Sequence, residues 1–172
     1  MRRYWLGLAV ALLVFALDQL TKWIVTGPLG LNQIGDQLYL LPFFQFTYMQ
    51  NPGISLGLLN ATNPLGRWML VGLTSAIALG VAIWIGREKN RVEQAALGMV
   101  LGGALGNILD RTLHSYVVDF LDLHFGEWRP FLVFNLGDAA ISIAVVILLL
   151  RAFLSRKDHH EGQEPKETIE HA

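Results

Sequence analysis

The chain has 172 residues, enough for one domain, and its residues are 53% hydrophobic and 16% charged, with a net charge of -1. Average soluble domains carry roughly 25% charged residues, so the composition favours a membrane protein over a soluble globule, and no basic patch with interleaved aromatics points to nucleic acid. The lack of cysteine excludes disulfides, thiolate catalysis and cysteine-rich metal sites.

Four segments are long and apolar enough to cross a bilayer, which takes about 20 residues. The first spans 4–25. It follows Arg2 and Arg3, but Asp18 and Lys22 interrupt it and no clean small-x-small site follows, so it reads as a retained helix rather than a cleaved signal peptide. The segment 26–64 is too long for a plain connector. Within it Phe44, Phe46 and Tyr48 alternate with Gln45, Thr47 and Met49, the period of a strand, and a small sheet resting on the membrane surface is expected. The second span covers 65–85 and the third 92–113, with Gly98, Gly102 and Gly106 at the spacing that lets helices approach closely. A shorter outer segment, 114–134, carries Asp119, Asp122, His124 and Trp128. The fourth span covers 135–153. The architecture is thus an all-α four-helix membrane bundle with a small extracytoplasmic β-sheet, one domain over 1–154, and a polar, disordered tail over 155–172.

Lys and Arg set the orientation. Arg2, Arg3, Arg87, Lys89, Arg91, Arg151, Arg156 and Lys157 fall on one side, and Lys22, Arg67, Arg111 and Arg129 on the other. The first side is therefore expected to be cytoplasmic, with both termini inside.

Ionisable groups in a membrane span mark function. Asp18 and Lys22 lie one turn apart in the outer part of the first span. Asn107, Asp110 and Arg111 end the third, Asn135 and Asp138 open the fourth, and Asn51 and Asp119 sit in the outer segments. All of them converge near the outer interface. A transporter, the rival reading, needs polar groups along a path through the bilayer, and the inner halves offer almost none. Two carboxylates held close share a proton, so one can activate water while the other protonates a leaving amine. The outer candidates are Asp18, Asp36, Asp110, Asp119, Asp122, Glu127 and Asp138. Asp138 is favoured by its position at a helix N-terminus, and the others stay open. His114, Asp119, Asp122 and His124 match no common zinc spacing, and nothing local supports a Ser–Lys dyad of Lys22 with Ser55 or Ser115.

Five blocks carry a family resemblance. They are Leu17-Asp18-Gln19 with Thr21-Lys22, Asn51-Pro52-Gly53, the run from Gly102 to Arg111, Val117-Val118-Asp119-Phe120, and Phe134-Asn135-Leu136-Gly137-Asp138. In this order, from about residue 5 to 150, the chain resembles bacterial lipoprotein signal peptidase, or signal peptidase II. The resemblance implies an intramembrane aspartic endopeptidase of the bacterial inner membrane and a target of globomycin. It would cut a diacylglyceryl prolipoprotein just before its lipidated cysteine. Asp119 and Asp138 would be catalytic; Asn51, Gly53, Asn107, Arg111 and Asn135 would bind substrate. Asp18, Lys22 and Asp110 would be structural supports, with no metal or other cofactor. Membrane lipids would be its surroundings; a one-sided site within a four-helix bundle needs no second subunit, so a monomer is expected. Gly137 and Ala139 flank Asp138 where the family usually has Ala and Ser, and Pro130 and Val133 also depart from its pattern. A catalytically idle lipoprotein-binding relative is the remaining alternative.

Overall fold

A computed structural model describes residues 4–53, 64–126 and 128–161. Four helices form the bundle: α1 (Trp5–Thr26), α2 (Pro64–Arg87), α3 (Arg91–His114) and α4 (Leu136–Glu161). All four are long and apolar enough to cross a membrane, and large side chains such as Leu12, Leu79 and Leu149 point outward as a lipid-facing surface requires. Helix α3 is the most buried span and packs against the other three.

Glycine explains this central position. A Cβ on Gly98 or Gly102 would overlap the carbonyl of Gly7 or Ala11 on α1, one on Gly106 the Asp18 carboxylate, and one on Gly103 the Gly137 carbonyl of α4. Two faces of α3 are thus stripped of side chains so that both neighbours close in. Around these contacts Ala11, Ala78, Ile85, Leu97 and Leu101 form the bundle core. At the α2–α3 turn, Asn90 caps α3 by accepting from the N–H groups of Val92 and Glu93. Buried Gln94 donates to the Glu88 carbonyl at 2.7 Å.

The opposite end is closed by a three-stranded antiparallel sheet in the order β1 (Gln37–Leu41), β2 (Phe44–Asn51), β3 (Val117–Leu123). The hairpin pairs Gln37 with Thr47, and β2 pairs with β3 from Phe44 opposite Leu123 to Asn51 opposite Val117. Val25 and Leu31 pack beneath it with Tyr48, Val118 and Phe120, joining the sheet to the end of α1. The alternation over 44–49 does mark a strand, but the polar residues Gln45 and Thr47 lie deeper than Phe44 and Phe46. Strand β3 shows no alternation because its first four residues are all buried, and burial on both faces removes the period-2 signal.

The described helices agree with the expected spans except at the end of α4. That helix runs on to Glu161, so it covers the start of the segment expected to be a tail. Residues 162–172, including His171, lie outside the described residues, as do Ser55 and Glu127.

Candidate active site

Because α1 and α3 end where α4 begins, their polar residues meet under β2 and β3. The fourth helix opens with a reciprocal cap. Asn135 precedes its first turn and accepts the Asp138 N–H on Oδ1 at 2.9 Å, while Asp138 Oδ2 takes the Asn135 N–H at 3.4 Å. This is a capping box, readable in the spacing Asn135-x-x-Asp138, and it holds Asp138 in one orientation.

The same asparagine reaches the second carboxylate. Asn135 Nδ2 donates to Asp119 Oδ1 at 2.7 Å, and Asn51 Nδ2 donates to Asp119 Oδ2 at 2.9 Å. Asn51 is itself fixed, since its Oδ1 accepts the Gly53 N–H at 2.9 Å. Gly53 has φ +110°, a conformation open to glycine but strained for other residues. Asn107 Nδ2 donates to Asp138 Oδ1 at 2.8 Å, and Asn107 Oδ1 accepts from Asn135 Nδ2 at 3.2 Å. The amides of Asn51, Asn107 and Asn135 are therefore engaged with the two carboxylates and with each other.

Asp119 is only 2% exposed. Burial, and then the charge of Asp138, push its carboxyl up to about 6, against the pull of the Asn51 and Asn135 hydrogen bonds and of Lys22. An acid in this range exchanges its proton near neutral pH. Arg111 lies in the field of Asp110, Asp119 and Asp138, and its buried Nε has no partner among the described residues.

Asp18, Lys22 and Asp110 form a separate buried ionic group behind the pair. Lys22 Nζ lies 2.7 Å from Asp18 and 2.8 Å from Asp110, so its hydrogens are directed to these two carboxylates. Gln19, whose role was not evident beforehand, ties Asp18 to Asp110 by donating to both. The remaining candidates are placed elsewhere. Asp36 closes a turn by accepting from the N–H groups of Asn32 and Gln33. Asp122 is enclosed by Gln45, Thr47 and Arg129. Among the described residues no group of three His, Asp or Glu is placed to hold a metal ion.

Four spans capped at one end by a sheet, with carboxylates gathered beneath it, define a polytopic membrane enzyme. A solved bacterial membrane enzyme, determined by the in meso method at 2.3 Å resolution, superposes with a TM-score of 0.76 at 28% identity, covering 93% of this chain and 94% of that one. Residues 10–154 match the family described as "Signal peptidase (SPase) II". A lipoprotein signal peptidase of Rhizorhabdus wittichii is 48% identical over 165 residues, covering 96% of this chain and 93% of that protein. One of Sphingopyxis alaskensis is 49% identical over 148 residues, covering 86% and 85%. The chain belongs to the signal peptidase II family, a family of aspartic peptidases.

Proposed function

We propose that Asp119 and Asp138 are the catalytic pair with which this peptidase removes signal peptides from diacylglyceryl prolipoproteins, cutting just before the lipidated cysteine. The observation that carries the assignment is the Asn135 bridge. One side chain donates to Asp119 and caps the turn that presents Asp138, while among the described residues the other buried carboxylates, Asp18, Asp110 and Asp122, are each paired with a cation. The names of the relatives supply the substrate class.

The chemistry follows from a pair that shares one proton. The ionised carboxylate takes a proton from a water held between the two, and the resulting hydroxide attacks the scissile carbonyl carbon. The protonated partner hydrogen-bonds the carbonyl oxygen as it gains negative charge. When the tetrahedral species collapses, the C–N bond breaks and a carboxyl proton passes to the departing amine of the cysteine. Arg111, whose Nε has no partner among the described residues and which lies in the field of Asp119 and Asp138, is suited to hold a substrate carbonyl beside the pair.

The site then sits at the outer leaflet of the bacterial inner membrane, with both termini in the cytoplasm. Arg87, Lys89, Arg91 and Arg151 mark the end opposite the sheet, as the positive-inside rule requires. The substrate's signal helix and acyl chains stay in the bilayer while the scissile bond reaches headgroup depth.

Cleavage of a lipidated prolipoprotein by the purified enzyme tests this. Asp119→Asn and Asp138→Asn should each lower turnover by about a thousandfold or more, in the range of a lost acid–base group, while remaining folded. Near-full activity in either folded variant would remove it from the pair.

A further inference from the structure

The buried ionic group behind the dyad has a geometry that packing alone does not require. Asp18 Oδ1 accepts the Gly137 N–H at 2.9 Å, and Gly137 immediately precedes Asp138. Asp110 Oδ2 accepts the Val118 N–H at 3.2 Å, and Val118 immediately precedes Asp119. Each of these carboxylates therefore grips the backbone one residue before a member of the proposed pair, and Lys22 joins them at 2.7 and 2.8 Å. A third donation from Lys22 Nζ, at 3.3 Å, goes to Asn107 Oδ1, whose amide holds Asp138 Oδ1. Asp18, Lys22 and Asp110 are 0%, 5% and 2% exposed.

From this we infer that Lys22 is a positioning residue that sets the spacing of the two catalytic aspartates, by clamping together the carboxylates that hold their backbones. The inference rests on the assignment of Asp119 and Asp138 above.

The physical case has three parts. Asp119 arrives on a strand and Asp138 on a helix, and neither hydrogen-bonds the other directly, so their separation depends on what ties β3 to α4. Asn135 supplies one tie, through side chains. The Phe134 backbone, bonded to Phe120 and Leu121 of β3 and leading straight into α4, supplies a second, and the Lys22 clamp adds a third, which runs by way of α1 and α3 to the residues immediately before Asp119 and Asp138. Two buried carboxylates on different helices repel each other, and without the ammonium between them they would part and carry Gly137 and Val118 apart. Water attack is sensitive to such a shift, since a misplacement of about 1 Å costs on the order of a hundredfold in rate.

Steady-state kinetics on a lipidated prolipoprotein separate this role from simple support of the fold. Lys22→Met, corrected for the folded fraction by size exclusion and thermal unfolding, should lose about a hundredfold in kcat with KM within twofold of wild type. Wild-type kcat per folded molecule would reduce Lys22 to a structural ion pair and overturn the inference. A raised KM at unchanged kcat would also overturn it, by making Lys22 a substrate contact. Should Lys22→Met not fold, Asp110→Asn decides: it keeps the shape and the acceptor for Val118 but weakens the grip on Lys22. Its kcat should fall about tenfold at constant KM, and an unchanged kcat would refute the clamp. Activity surviving in Asp119→Asn or Asp138→Asn would instead sink the assignment of the pair, which is a different result.

Discussion

Asp119 and Asp122 lie three residues apart on β3, turned to opposite sides of the strand, and both are almost wholly buried, at 2% and 1% exposure. Their environments drive them in opposite directions. Burial raises the Asp122 carboxyl too, but hydrogen bonds from Thr47, Arg129 and Gln45 outweigh it and hold the group below the usual carboxylate range. Asp119 receives two neutral amides and faces a second carboxylate, so burial and the Asp138 charge prevail and the group moves up to about 6. A buried acid becomes ready for proton transfer near neutral pH when hydrogen bonds and opposite charge do not outweigh its burial. Thr47, Gln45 and Arg129, the last at 3.1 Å, favour the anion at Asp122; burial and then the Asp138 charge favour the proton on Asp119.

Isosteric amides at the two positions test this division most strongly. Asp119→Asn should remove at least about three orders of magnitude of activity, whereas Asp122→Asn should leave kcat within a few-fold of wild type. The cost of Asp122→Asn falls on stability instead, about 2 kcal/mol, because charge-assisted bonds to three donors are exchanged for weaker ones; thermal unfolding in detergent measures it. An inactive but stable Asp122→Asn would mean that the roles are exchanged.

Stability against pH gives a smaller and more discriminating effect. Asp122, held low when folded, contributes stability that is present above about pH 4 and lost as the pH falls further. Asp119, raised to about 6, works the other way. Its neutral form is favoured in the fold, so its contribution is present below about pH 4 and is lost as the pH rises through 6. The stability difference between wild type and Asp119→Asn should therefore shift in favour of the variant by about 2 kcal/mol between pH 4 and 7. A flat difference over that range would mean that Asp119 titrates normally, raised neither by its burial nor by the Asp138 charge.

The clustering that makes up the candidate site was legible in the sequence, because ionisable residues in apolar spans are costly and these gather at one end. Asp18 and Lys22 at i and i+4, and Asp138 at the start of a helix, could each be placed from the chain alone. Choosing between Asp119 and Asp122 could not be done that way. The residues that separate them, Gln45, Thr47, Arg129 and Asn135, include some more than seventy positions away, and only the register of β2 on β3 brings those together. Family resemblance pointed to Asp119 where the residue pattern left the choice open. The continuation of α4 to Glu161 was hidden for another reason. Its last turns are charged and lack an apolar stripe, yet an established helix extends with no new nucleation cost.

The smallest expected effect probes how closely the Asp119 side of the comparison is fitted. Gly137 stands where the family usually has alanine, at the close crossing of α3 and α4. A Cβ there would meet Asn135 Oδ1 and the Gly103 carbonyl oxygen at 3.1 Å, and Asp18 Oδ1 at 3.2 Å. These are tight contacts, relieved by shifts of a few tenths of an ångström, and they oppose a gain of about 1 kcal/mol in helix propensity. Gly137→Ala should thus change stability by less than about 1 kcal/mol. Two of the crowded atoms, Asn135 Oδ1 and Asp18 Oδ1, are the acceptors for the Asp138 and Gly137 N–H groups, so any effect should appear in kcat, within about threefold, with KM unmoved. Thr47→Val is the matching change beside Asp122. Removing one of its donors should lower the melting temperature and leave kcat alone. If both substitutions moved kcat equally, the two carboxylates would belong to one coupled site, and the separation of their roles along β3 would fail.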